Sequence, residues 1–285
     1  LLYFRQCTGA ATATLNFTNQ STTVASSTSY TIKWGDNSPD FSSPGFNAPL
    51  THTYNSGTYP LQFIVSGNNG CTDTTTYYVF VGSNPAVGLG IPENTLICTG
   101  TSLTFPISVP ASNSPEVVYK IVINDGTDSV IYSHPPPTSI THEFNASSCG
   151  TNSTSFNNSF FVRMQASNAC LTSESVVSPI YVSEKPKATF AISPNDTTCV
   201  NTVTTITNTS GAINYVNNNE CASGSFIWSI SPATGWTLAN GTIIGNDFGL
   251  EDPSLWQNGT NFLSVIFTQT GTYTIKLKTG NPNCG

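Results

Sequence analysis

Eight cysteines, three histidines and a sparse set of carboxylates are the residues of this chain whose types could do chemistry. No two cysteines stand in a Cys-x-x-Cys spacing, so the close pairs from which structural zinc sites are usually built are absent. Disulfide chemistry in an oxidising compartment is the remaining use for so many cysteines. Their placement repeats. Cys7, Cys98 and Cys199 each precede the early strands of a repeat, whereas Cys71, Cys170 and Cys284 each follow a strand and an Asn-containing turn (Asn69-Gly70, Asn168-Ala169, Asn281-Pro282-Asn283). The simplest pairing is one staple per repeat: Cys7–Cys71, Cys98–Cys170 and Cys199–Cys284. Closing loops of this length stabilises each module by about 4 kcal/mol in the chain-entropy account. Cys149 and Cys221 are left over, and a bond between them would cross from the second repeat to the third.

His52 and His142 stand in matching places, each two residues before an aromatic, which points to a structural or surface role. His134 precedes Pro135-Pro136-Pro137 in a loop. His142-Glu143 opens like a zinc-protease helix, but position 146 is Ala and the flanks alternate as a strand does. Neither a Gly-x-Ser-x-Gly elbow nor a phosphate-binding glycine loop occurs. Asp36 with Asp40, or Asp125 with Asp128, would have to gather backbone carbonyls to hold Ca²⁺. Turn carboxylates more often bond their own backbone. Trp236 and Trp256 are the aromatics for stacking on a sugar, with core or loop packing as their ordinary use. The expectation is a chain that is not an enzyme and needs no cofactor, Ca²⁺ being the one option.

The elements that must position these residues read as strands throughout. Tyr30, Ile32 and Trp34 share one face, with Thr31 and Lys33 on the other, before Gly35-Asp36-Asn37-Ser38-Pro39 breaks the run. A second strand carries Tyr59, Leu61, Phe63 and Val65 into an Asn68-Asn69-Gly70 turn. Leu103 to Val109, Val117 to Ile123 and Phe160 to Ala166 alternate in the same way. So do Phe226 to Ile230 and Leu263 to Phe267. The result is an internal repeat of roughly 100 residues, the size of one sandwich domain. The repeats span 1–83, 84–185 and 186–285, with short Pro-containing linkers that limit hinge freedom. Asp247 to Trp256 reads as a helical turn broken at Pro253. The third repeat stops one residue past Cys284, where the first two run on into closing strands (Thr75 to Val81 and Ser175 to Val182). It is expected to lack its last strand, the open edge being covered by continuing polypeptide or by a strand from another chain. Leu1 to Phe4 is apolar enough to be such a donor, but its spacing from Cys7 makes it the first repeat's own opening strand.

Charged residues make up 8% of the chain and the net charge is −7, too few cations to neutralise nucleic-acid phosphates. No apolar run approaches the length that spans a membrane. No leader peptide is visible, so the chain reads as a mature or excised piece of something longer.

Trp34-Gly35-Asp36-Asn37, His52-Thr53-Tyr54 and Gly57-Thr58-Tyr59 resemble the signature of PKD-type repeats, with Asn37 where that family usually has Gly. The second repeat has neither Trp-Gly-Asp nor Gly-Thr-Tyr. The third keeps Trp228 and Gly271-Thr272-Tyr273 without the Asp. The Cys-flanked, Thr-rich series is similar to the giant surface adhesins of gliding Bacteroidota. The resemblance implies an all-β chain of tandem immunoglobulin-like (PKD-like) β-sandwich domains in an elongated array, located at the cell surface or secreted. It implies a disulfide-stapled spacer or adhesion rod in an adhesin, stalk or filament. Its partners would be neighbouring repeats or chains of the same protein, with surface glycans or proteins as ligands. It also implies O-glycans at Thr74, Ser129 and Thr197, each in an Asp-Ser/Thr-x pattern. The Asn-x-Ser/Thr sites at Asn16, Asn208, Asn240 and Asn258 would count only in a eukaryotic host. The alternative is an accessory carbohydrate- or protein-binding region of a secreted hydrolase.

Overall fold

The computed structural model describes residues 2–22, 26–46, 49–239 and 241–285; Leu1 and Asn240, both considered above, lie outside them. Those residues form three β-sandwiches in tandem. The first contains β1 (Tyr3–Gln6), β2 (Thr12–Phe17), β3 (Ser27–Lys33), β4 (Phe41–Ser43), β5 (Leu50–Asn55), β6 (Gly57–Gly67) and β7 (Thr72–Val81). The sheet β1-β7-β6-β3-β4 packs on the pair β2-β5. The alternation of β3 is what closes it: Tyr30 and Ile32 are buried with Trp34 just beyond, and they meet Ala13, Phe17 and Tyr54 of the other layer. β1 runs parallel to β7, so Gln6 lies beside Val81.

The second sandwich repeats this plan with β8 (Gly88–Leu89), β9 (Leu96–Cys98), β10 (Thr101–Ser108), β11 (Val118–Ile123), β12 (Val130–Ser133), β13 (Ser139–Phe144), β14 (Phe160–Ser167) and β15 (Thr172–Ser183). Its sheets are β12-β11-β14-β15-β9 and β13-β10-β8, and β9 is parallel to β15 as β1 is to β7. Phe160, Val162, Met164 and Ala166 of β14 are all buried, the clearest period-2 face in the chain.

The third contains β16 (Phe190–Ser193), β17 (Val203–Asn208), β18 (Asn214–Asn217), β19 (Glu220–Ser223), β20 (Ser225–Ser231), β21 (Trp236–Leu238), β22 (Phe262–Phe267) and β23 (Thr274–Gly280). The sheet β16-β17-β22-β21 packs on β20-β23 around Ile206, Trp228, Ile230, Leu263, Val265 and Phe267. Where β6 is flanked by β7 and β14 by β15, β23 pairs with β20 alone among the described residues.

Two details depart from the sequence expectations. Asp247 to Trp256 is not a helical turn broken at Pro253. It is a loop ending in a single 3-10 turn, Pro253–Leu255, that begins at the proline. A first-turn residue needs no N–H, and Asp252 caps the turn by accepting from Ser254 N at 2.9 Å. The second is the β18–β19 hairpin, an arm with no counterpart in the other two modules. Its two-residue turn, Asn218-Asn219, has positive φ at both positions, the backbone of a type I′ turn.

Candidate functional site at the turns and module junctions

The first cluster of polar side chains sits where β3 ends. Gly35 and Asn37 both have positive φ, and a Cβ at Gly35 would run into the carbonyl of Pro60, so the turn is tight and aims Asp36 back at the sheet. Asp36 Oδ1 accepts from Ser38 N at 3.1 Å, and Oδ2 lies 2.8 Å from His52 Nε2 on β5. The His52 ring stacks on Trp34 with centroids 4.1 Å apart, and Tyr54 Oη donates to Trp34 O at 3.1 Å. The motif residues are thus members of one structural clasp.

The second module has the same clasp without the motif. Asp125 Oδ1 accepts from Thr127 N at 3.1 Å and from Thr127 Oγ1 at 2.7 Å, and Oδ2 lies 2.6 Å from His142 Nε2. The sequence links His52 to His142 but hides that Asp36 and Asp125 correspond. The signal is an Asp-x-Ser/Thr turn after a strand, with His 16 or 17 residues further on. Asp36 and Asp125, two of the four carboxylates considered for Ca²⁺, take the backbone-bonding turn role. Asp36 and Asp125 are already bonded through both oxygens, Asp40 and Asp128 are exposed, and no group of three possible ligands gathers among the described residues.

Burial pushes both carboxyls up, but the bonds from Ser38 and His52, and from Thr127 and His142, outweigh it and hold them below the ordinary aspartate value. A carboxyl depressed in the folded state stabilises it above the unfolded pKa of about 4, and that contribution disappears as pH falls through the folded value. Modules one and two should therefore lose stability below about pH 4. Urea midpoints followed from pH 6 downward test this: Asp36→Asn and Asp125→Asn should flatten the acid slope, and an unchanged slope would refute the assignment.

The cysteines pair across modules. Cys7 bonds Cys170, Cys98 bonds Cys284 and Cys149 bonds Cys221, with Cα–Cα distances of 6.0, 5.8 and 5.7 Å. The expected Cys7–Cys71, Cys98–Cys170 and Cys199–Cys284 bonds do not form, and Cys71 and Cys199 are unpaired and exposed. The reason is strand length. Cys71 immediately precedes β7, whereas Cys7 follows the strand parallel to it and lies at its far end, next to the Thr8–Ser83 bridge. Ten residues of β7 separate them by roughly 30 Å, whereas a disulfide needs Cα atoms within about 7 Å. Cys98, beside Ser183, and Cys170, ahead of Thr172, are parted in the same way by β15. Modules one and two therefore each carry their early and hairpin cysteines at opposite poles, and stacking brings the late pole of one module to the turn cysteine of the next.

Asparagines seat these contacts. At the first junction Asn168 Nδ2 donates to Ser83 O at 2.8 Å, beside Cys7–Cys170. At the second, Asn281 Nδ2 donates to Glu184 O at 2.7 Å, beside Cys98–Cys284. Asn283 Nδ2 adds bonds to Ser183 Oγ and Val216 O, each 2.8 Å. The β18–β19 arm reaches back onto module two. Asn158 Nδ2 donates to Asn219 O at 2.8 Å, Tyr181 Oη bonds Asn219 Oδ1, and the arm carries Cys221 to Cys149.

Thr74, Ser129 and Thr197 are exposed. Trp256 is buried, donates to Leu250 O at 2.9 Å and lies under Lys278, and Trp236 donates to Pro232 O at 2.8 Å. Both indoles thus have packing roles. No helix among the described residues is long and apolar enough to cross a membrane.

No family model matches this chain, and no curated protein does. Among solved structures it is similar to the I-band fragment I67–I69 of titin, at 13% identity over 97% of this chain and 89% of that one, with a TM-score of 0.31. It is also similar to extracellular domains 3–5 of Drosophila OTK, at 11% identity over 98% and 93%, TM-score 0.26. A third likeness is to a putative membrane-anchored protein from Corynebacterium diphtheriae, at 12% over 94% and 76%, TM-score 0.25. Likenesses at this level carry nothing about ligand or activity.

Proposed function

We propose that this chain is a non-enzymatic, extracellular repeat region of PKD-like modules, serving as a disulfide-stapled spacer in a cell-surface adhesin, stalk or filament protein. One observation carries the reading: all three bridges join different modules and none closes a module on itself. A bridge inside a sandwich would stabilise that sandwich. A bridge between sandwiches fixes how one sits on the next, which is what a spacer requires. Three disulfides also suit an oxidising, extracellular setting, and the Trp34 motif with its clasp supports PKD-like modules. The partners are further modules of the same kind, with surface glycans or proteins beyond them.

The first junction gives the test, because both its modules have complete sandwiches. Small-angle X-ray scattering of a Cys7→Ser/Cys170→Ser chain should show a wider spread of dimensions than the oxidised parent, with an unchanged far-UV strand signal. Loss of the strand signal would mean that the bridge supports a module rather than a junction. Unchanged scattering would mean that it does not set their arrangement. Either result would end the spacer reading.

A further inference from the structure

We propose that Cys71 and Cys199 are the two halves of a further junction, and that each takes its partner from another module of this kind, such as a second copy of this chain presents. The inference rests on the repeat reading above and adds the residues that make the contact. The three turn cysteines are held alike by an asparagine side chain: Cys71 N donates to Asn69 Oδ1 at 3.0 Å and Cys170 N to Asn168 Oδ1 at 2.8 Å, each two residues back, and Cys284 N to Asn281 Oδ1, three residues back, at 2.9 Å. In the two formed junctions the same asparagine sends its amide to a carbonyl just beyond the previous module's last strand, Ser83 O or Glu184 O, and the cysteine completes the bridge. Asn69 and Cys71 present this pair exposed, and the Asn69 amide donates to nothing among the described residues. An open cleft of about 800 Å³ runs between the two layers of module one and opens beside Asn69 and Cys71.

The opposite pole is equally regular. Cys7, Cys98 and Cys199 each stand a few residues ahead of β2, β10 or β17, and the first two are the partners that hairpin cysteines choose. Cys199 alone of the three is unbonded, and it is exposed. The rule in both junctions is the early cysteine of one module with the hairpin cysteine of the next. Cys199 accordingly awaits a hairpin cysteine, and Cys71 awaits an early one. A contact between two different poles is heterologous, so it adds copies head to tail instead of closing a two-fold dimer. Bond formation takes two electrons and two protons from the thiols and passes them to a disulfide oxidant such as oxidised glutathione, which leaves as two thiols.

The test uses the full chain with a second copy as the probe. In a glutathione redox buffer the parent should form a ladder of multimers on non-reducing gels, with Cys71–Cys199 as the linking peptide. Cys71→Ser and Cys199→Ser chains should each stop the ladder, and mixing the two should restore one dimer at least about tenfold faster than either self-dimerises. Cys71–Cys71 or Cys199–Cys199 links at comparable rates, or glutathione capping with no mixed dimer, would overturn the inference. Neither outcome touches the Cys7–Cys170 scattering result, so the two readings fail separately.

Discussion

Replacing Cys98 and Cys284 by serine should lower the stability of the third module by about 4 kcal/mol and leave the first two nearly unchanged. Among the described residues the third module has the smallest cluster of buried apolar residues, and its β23 is paired along one edge only. Its unfolded chain is nonetheless held to module two at three places: the linker, Cys221 through Cys149, and Cys284 through Cys98. Each tether removes conformations from the unfolded ensemble, by an amount that grows slowly with the length of loop closed. Cutting the outer one releases the segment from Cys221 onward. Hydrogen exchange in rising urea separates the modules: protection of β22 should collapse at lower denaturant while that of β14 holds. Equal shifts in both, or none in β22, would contradict this account of the bridge.

Trp34→Ala should cost module one about 3–5 kcal/mol. Trp34 is 5% exposed, lies 5.3 Å from Phe17 between ring centroids and stacks on His52. Its removal opens a cavity between the two sheets and also frees the His52 ring that meets Asp36, so packing and clasp are lost together. Trp34→Phe, which keeps an aromatic face against His52, should recover about half of that loss. Urea unfolding read from module-one amides checks both variants. A loss under about 1 kcal/mol for Trp34→Ala would show that the ring does not hold the sheets together.

The strands were legible because a sheet with one buried face writes a period of two into the sequence, as in Tyr30, Ile32 and Trp34 or Phe160 to Ala166. Equivalence of the cysteines was legible too, from the Asn-containing turns ahead of Cys71, Cys170 and Cys284. Their pairing was not. Repetition shows which cysteines correspond, but the sum that excludes Cys7–Cys71 needs the parallel course of β1 along β7, and nothing in the local sequence of Tyr3 to Gln6 gives that direction. Asn168 and Asn281 read as turn formers because one half of the amide does form the turn, and the other half reaches a neighbour that only the folded chain supplies. The β18–β19 arm was invisible for a related reason. It is mostly polar, it buries Val216 and little else, and its shape depends on the surface of module two.

The crossing of the bridges alters how the chain would carry tension. Pulled from its ends, a polypeptide loads the shortest covalent route. Here that route leaves the backbone at Cys7, crosses to Cys170, runs backward through module two to Cys98, and crosses to Cys284. Only about 80 residues lie on it, a taut length on the order of 280 Å, against on the order of 1,000 Å for the whole polypeptide. Most of modules one and three hangs outside the load-bearing line, so their sandwiches would stay folded while the ends are drawn to full stretch. Reduction would switch the load onto the entire backbone and expose all three modules to force, so the oxidised chain would yield through module two alone and the reduced one through all three.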